Sequence, residues 1–249
     1  MTAKEWYKDW FNSPFYHKLY FERDEKEAQL FITRLVEHLQ PPPGSRMLDV
    51  ACGRGRHSKF LASKGYDVTG IDLSFDSIQY AKQFEKENLH FFQHDMRLPS
   101  WVNYFDYAFN FFTSFGYFNT RREHDDAVRT VAQSLKPEGR LLFDFLNVHF
   151  VEDRLVHNEH KKIAETEYEI HRWQDEGYFY KKIIVRDPSL KEPFEHTEKV
   201  AKFSLGDFTD MLSFQEMQVT EVFGNYELQP YDIRKTPRMI VLAEKKRRG

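Results

Sequence analysis

Cysteine occurs once in this 249-residue chain, at Cys52, so no disulfide framework holds the fold, and no cluster of Cys and His has structural-zinc spacing. His157 and His160 share a face if their region is helical, but no third ligand accompanies them, and no metal is expected. No apolar run approaches the ~18 residues that span a bilayer, and Met1-Thr2-Ala3-Lys4-Glu5-Trp6 lacks the apolar stretch of an export signal. A cytoplasmic protein with no membrane partner is the expectation. Charge of one sign is missing too: Lys and Arg number 36 against 39 Asp and Glu, a net −3, which leaves no electrostatic footprint for nucleic acid. The basic end Lys245-Lys246-Arg247-Arg248 is short and terminal and reads as a solvated tail. Repeats and low-complexity segments are absent, as are a G-x-S-x-G elbow and a Walker loop.

What the chain does have is aromatic side chains, 24 Phe, 13 Tyr and 4 Trp, and a length that suits one large α/β domain with a modest insertion. Apolar residues from Asp24 to Leu39 recur at i, i+3, i+4 and predict an amphipathic helix that Pro41-Pro42-Pro43-Gly44 ends. Strands and helices then alternate: strand Arg46–Ala51, helix Arg56–Ser63, strand Asp67–Ile71, helix Ser74–Glu87, strands Leu89–Gln93 and Phe105–Phe109, helix Arg121–Leu135, strand Arg140–Phe145. Thr120 with Glu123 reads as a capping box, and Lys136-Pro137-Glu138-Gly139 as a turn. The pattern is that of a doubly wound parallel sheet. From Lys161 to Ser204 three strands are expected, joined by Asp175-Glu176-Gly177 and Asp187-Pro188-Ser189-Leu190. A helix Leu205–Phe214, capped by Ser204 with Asp207, and strands Gln218–Phe223 and Arg238–Glu244 close the chain.

Met47-Leu48-Asp49-Val50-Ala51-Cys52-Gly53-Arg54-Gly55-Arg56-His57 passes from an apolar strand through a glycine turn into a helix. Backbone N–H groups there can face a polar ligand with no side chain between. Asp72 ends the next strand, where a carboxylate can accept from both hydroxyls of a ribose. A dinucleotide fingerprint wants a third glycine where this chain has Ser58, and Asp49 would repel a pyrophosphate while suiting a cationic amino group. A nicotinamide dehydrogenase is disfavoured.

These residues resemble the first motif of the class I S-adenosylmethionine-dependent methyltransferases, roughly acidic-x-G-x-G-x-G. The chain departs from it at Ala51, a mild change where the backbone φ is negative, and at Arg54, which reaches a methionine carboxylate or, as favoured, points to solvent. The resemblance spans about Met47 to Gly139. It implies a doubly wound, seven-stranded Rossmann-like α/β sheet whose last strand is antiparallel, here with an antiparallel β insertion before the penultimate strand. The organisation implied is a helical lid segment over 1–44, a cofactor-binding core over 45–149, an insertion above the acceptor site over 150–204, and completion of the sheet by 205–249. The cofactor implied is S-adenosyl-L-methionine, held by Asp49, Ala51, Cys52, Gly53, Gly55, Asp72, Leu73, Asp95, Met96 and Asn110. Asp72 would take the ribose, Asp95 the adenine amino group with Met96 beside it, and Asn110 the methionine portion.

The reaction implied is methyl transfer to N or O of a small molecule. A tRNA or rRNA methyltransferase is the alternative enzyme, disfavoured by the charge balance and by the lack of an Asn-Pro-Pro-Tyr or Asp-Pro-Pro-Tyr run after the fourth strand. A non-catalytic regulatory protein that binds the same cofactor is the other. Ser114-Phe115-Gly116-Tyr117 is similar to a segment of amino-sugar N-methyltransferases, and Phe15 to Tyr20 resembles their tyrosine-bearing lid. Tyr16 and Tyr20 would share one helix face. Methyl transfer needs alignment and dryness, and a base only if the nucleophile arrives protonated. Tyr20, His149, His171, Tyr178 and Tyr180 are the candidates for that role, although packing accounts for each of them as well. The exposed edges of the insertion could join two copies in a homodimer.

Overall fold

A computed structural model describes residues 10–20 and 25–247. Met1–Trp6, the expected helix start at Asp24, and Arg248 lie outside them. Two helices come first, α1 (Pro14–Tyr20) and α2 (Glu25–Leu39). The second buries Ala28, Phe31, Ile32, Leu35 and Leu39 along one stripe, as its periodicity requires.

The alternation then follows as expected: β1 (Arg46–Val50), α3 (Arg56–Ser63), β2 (Asp67–Asp72), α4 (Phe75–Lys82), β3 (Leu89–Gln93), β4 (Phe105–Asn110), α5 (Arg121–Ser134) and β5 (Leu135–Leu146). A short helix α6 (Val148–Asp153) leads to β6 (Asn158–Ile163), β7 (Thr166–Gln174), β8 (Tyr178–Arg186) and β9 (Phe194–Ala201). Helix α7 (Leu205–Ser213), β10 (Met217–Phe223) and β11 (Arg238–Lys245) finish the chain. The main sheet has seven strands in the order β10-β11-β5-β4-β1-β2-β3, with β11 antiparallel to both neighbours. Both capping boxes form: Thr120 Oγ1 accepts from Glu123 N and Ser204 Oγ from Asp207 N, each carboxylate answering the cap's own N–H.

Apolar faces on both sides of this sheet make two cores. One packs α5 and α7 through Val128, Val131, Phe208 and Leu212, the other packs α2 and α3 through Ile32, Leu35 and Leu61. A third, smaller core lies apart from the sheet, where Trp10 and Leu19 meet Tyr168, Ile170, Ile183 and Val185 of the insertion.

Four expectations need correction. The insertion sheet has four strands, β6-β7-β8-β9, because the polar segment Asn158–Ile163 pairs antiparallel with β7. This pairing also excludes a helix that would align His157 with His160, and no group of residues among those described could hold a metal ion. Helix α4 stops at Lys82, since Lys86 and Leu89 exchange backbone hydrogen bonds and Asn88 Nδ2 is drawn to the carbonyls of Ala62 and Tyr66. Lys136–Gly139 is carried within β5, where the register to β4 jumps from Phe105↔Leu135 to Tyr107↔Arg140.

Candidate active site

The parallel strands end on one side, and the order reverses between β1's two neighbours, β2 and β4. Such a switch point opens a crevice in α/β sheets. A cavity of about 510 Å³ lies there, within the ~300–1,000 Å³ usual for small-molecule sites. Its floor is Ala51 and Gly53 after β1, Asp72 and Leu73 after β2, Asp95 and Met96 after β3, and Phe112 to Ser114 after β4. Tyr16 and Tyr20 of α1 cover one side, their rings 4.8 Å apart. Arg172, Lys181, Glu198 and Val200 of the insertion close the other.

Asp72 holds the glycine turn in place. Its Oδ2 accepts from Gly53 N at 2.8 Å and its Oδ1 from Ser74 N at 2.8 Å. Burial pushes its pKa up, against those same backbone bonds. Asp95 is gripped by the Arg97 guanidinium through bonds of 2.6–3.1 Å, and Arg97 also reaches Glu123 Oε1 at 2.7 Å. Asp49, only 1% exposed, accepts from Ser58 Oγ at 2.5 Å. Burial lifts its pKa to about 7, with the Ser58 hydroxyl opposing and the Asp72 charge adding to the rise. The serine that breaks the dinucleotide pattern thus supports the motif's acidic residue.

Among the other residues singled out in the sequence, Asp49, Cys52, Gly55 and Asn110 do not line the cavity. Gly55 serves packing: a Cβ there would lie 2.5 Å from Phe91 Cζ, and its φ of 76° suits glycine. Cys52 is buried behind the turn, and Asn110 Nδ2 donates to Val50 O at 3.0 Å. Arg54 is exposed and stacks its guanidinium 4.8 Å from the Tyr80 ring centroid, so it follows the solvent reading.

Ala51 does not follow the reading made for it. Its φ is +59°, the left-handed region, so the alanine occupies a glycine conformation. The β-carbon there costs about 1–2 kcal/mol. Ala51→Gly is therefore expected to raise the melting temperature by about 2–8 °C, as calorimetry would show, and a lower melting temperature would refute the strain.

Of the proposed bases, Tyr20 alone lines the cavity. His171 sits on the opposite face of β7 from Arg172, bonded to Asn158 and Glu169. Tyr178 OH is 3.5 Å from Asn119 O, Tyr180 bonds Asp175, and His149 pairs with Glu152 at 3.3 Å. The residues that sequence reading missed are Arg172, Lys181, Glu198 and Arg238. The first three are cross-strand partners, Arg172↔Lys181↔Glu198, on the inner face of the insertion. Arg238 bonds Asp144 at 2.6 and 2.8 Å and Thr113 Oγ1 at 2.8 Å.

A methyltransferase domain family matches residues 47–139. A putative methyltransferase, YqeM, of Bacillus subtilis (strain 168) is 30% identical over 212 residues, 78% of this chain and 83% of the relative. The chain belongs to the S-adenosylmethionine-dependent methyltransferases. Over 99 residues, 39% of the chain and 41% of the relative, it is 36% identical to the dTDP-3-amino-3,4,6-trideoxy-alpha-D-glucopyranose N,N-dimethyltransferase of Streptomyces venezuelae. The fold matches an S-adenosylmethionine-dependent methyltransferase from Clostridium acetobutylicum ATCC 824, with a TM-score of 0.78 at 18% identity over 94% of this chain and 97% of that one. Among the described residues no helix is long and apolar enough to cross a membrane.

Proposed function

We propose that this methyltransferase acts on N or O of a small polar molecule that enters between α1 and the inner face of the insertion. The observation that carries the proposal is the cavity's two-sided lining, with carboxylates and the glycine turn at the strand ends and the chain's own lid and insertion opposite. S-adenosylmethionine supplies a methyl group already activated on a sulfonium. Asp72 suits the ribose diol, because each of its oxygens keeps a second lone pair after serving Gly53 and Ser74. Asp95, with Met96 beside it, suits the adenine amino group, and Asp49, which does not line the cavity and is bonded to Ser58, would favour the ammonium of the methionine moiety through its charge behind the glycine turn. Segment 150–204 is read as the acceptor module and 1–44 as its lid, the rest making the core sheet. A homodimer joined along the edge strand β6 belongs to the same reading, and light scattering at twice the chain mass would support it.

Calorimetric titration with S-adenosylmethionine and, separately, NADH tests the reading. Binding of the first alone supports it, and binding of NADH instead ends it.

The role given to Asp49 sets a pH dependence. Without ligand its carboxyl is protonated below about pH 7, whereas an ammonium partner favours the ionised form, so binding releases a proton. Affinity should fall about tenfold per pH unit as pH drops below that value. It should decline again above about pH 8, where an α-amino group loses its own proton. Asp49→Asn is expected to abolish the acid limb, and an unchanged limb would remove Asp49 from the role.

A further inference from the structure

Glu198 is the one acidic side chain that the insertion sends into the cavity wall. It is 9% exposed. Its Oε1 accepts from Trp10 Nε1 at 2.7 Å and from Tyr20 OH at 2.9 Å. Its Oε2 faces Lys181 Nζ at 3.7 Å, beyond hydrogen-bond range, while Lys181 donates to the Tyr20 hydroxyl. Arg172, the other cation in the row, is taken up by Glu159 at 2.5 Å.

Beside this carboxylate runs an arc of aromatic rings that also line the cavity. Tyr117 meets Phe11 at 5.4 Å, Phe11 meets Tyr16 at 5.0 Å, and Tyr16 meets Tyr20 at 4.8 Å between centroids. Ring faces attract organic cations, methylated ammonium groups among them. A carboxylate adds a charge-assisted hydrogen bond and, where the donor is an ammonium, a full opposite charge that a hydroxyl does not carry.

Resting on the methyltransferase reading above, we propose that Glu198 and the Phe11–Tyr16–Tyr20–Tyr117 arc select acceptors that carry an amine, with Glu198 as the specificity-determining residue. The amine docks as its ammonium with an N–H on Glu198 Oε2 and gives up one proton to water; its lone pair then forms the N–CH3 bond as the S–CH3 bond of the sulfonium breaks, S-adenosylhomocysteine leaves, and the arc and Glu198 hold the methylated ammonium that results. Acceptors bearing only hydroxyls can donate an O–H to the carboxylate but lack the positive charge of an ammonium, and carboxylate acceptors bring neither that donor nor that charge.

The test uses the full chain saturated with S-adenosylhomocysteine and matched probes: 3-amino-3-deoxy-D-glucose against D-glucose and D-glucuronate, and benzylamine against benzyl alcohol and benzoate. Calorimetry reads binding, and mass spectrometry of the S-adenosylmethionine-loaded chain reads methyl transfer. The amine of at least one set is expected to bind at least ~10-fold tighter than its counterparts, the worth of a hydrogen bond to a charged group. Glu198→Gln should erase that preference, while Glu198→Asp should retain part of it. Affinity for S-adenosylhomocysteine within threefold of wild type should show that the cofactor side is intact. A hydroxyl or carboxylate probe that equals its amine, a preference that survives in Glu198→Gln, or binding by no probe overturns the proposal. Failure of the wild-type chain to bind S-adenosylhomocysteine defeats instead the cofactor reading beneath it, and the proposal falls with it.

Discussion

Replacing Asp72 by Asn will weaken S-adenosylmethionine binding about 100-fold, the loss of roughly 3 kcal/mol when charge-assisted hydrogen bonds to two ribose hydroxyls go. Asp72 is placed for this by structure that exists before ligand arrives. Its two oxygens are fixed by the N–H groups of Gly53 and Ser74, so its remaining lone pairs have set directions at the cavity floor. Burial pushes its pKa up, and in so poorly solvated a place a ligand hydroxyl is worth more than in water. Asparagine keeps an oxygen for one N–H but turns an amide donor toward the other, so a modest loss of stability is also expected. The measurement is a calorimetric Kd beside an apo melting curve. A Kd within threefold of wild type would remove Asp72 from the ribose site, whatever the melting curve shows.

Asp144→Ala should cost about 3–5 kcal/mol of stability, the usual penalty for stranding one partner of a buried ion pair. Asp144 is 2% exposed and serves three groups at once: the Arg238 guanidinium, Phe112 N at 2.9 Å and Tyr226 OH at 3.0 Å. The first two belong to the cavity wall. Phe112 and Thr113 both have positive φ, 69° and 53°, a conformation that L residues keep only when their surroundings hold it. The Asp144 backbone carbonyl accepts from Thr113 N at 2.9 Å, and Arg238 holds the Thr113 hydroxyl. A fall in melting temperature on the order of 10 °C is expected. Arg238→Met combined with Asp144→Ala should lose less than the sum of the two single changes, because the second removes a charge the first has stranded. Strict additivity would show that the pair does not act as a unit.

The core sheet was legible because its parallel strands are apolar runs that end in turns, and β1, β2 and β4 each lead on into a helix. Asp72, Asp95 and Gly53 sit at strand ends, and strand ends can be located from one segment at a time. The insertion side of the cavity was not readable in that way. Arg172 and His171 are neighbours in sequence, yet only Arg172 reaches the cavity, because successive strand residues face opposite sides. Which face turns inward depends on the pairing Arg172↔Lys181↔Glu198 and on what covers the sheet, and both are long-range facts. Strand β6 was missed because Asn158–Ile163 is an edge strand of mainly exposed polar residues and carries no alternation. Ala51 misled because a single residue's φ is set by its turn, while its side chain announced the commoner backbone.

Trp10 stands well before the motif strand, yet its indole is fully buried against His196, 4.7 Å away and nearly parallel, on a strand that comes late in the chain. The two segments therefore share one fate in descent. A lineage that replaced the insertion would take away the seat of the indole, and with it the packing that holds the segment bearing Trp10. Side chains on the existing strands can change one at a time with the indole still seated. Exchange of the whole insertion is open only when the segment bearing Trp10 travels with it.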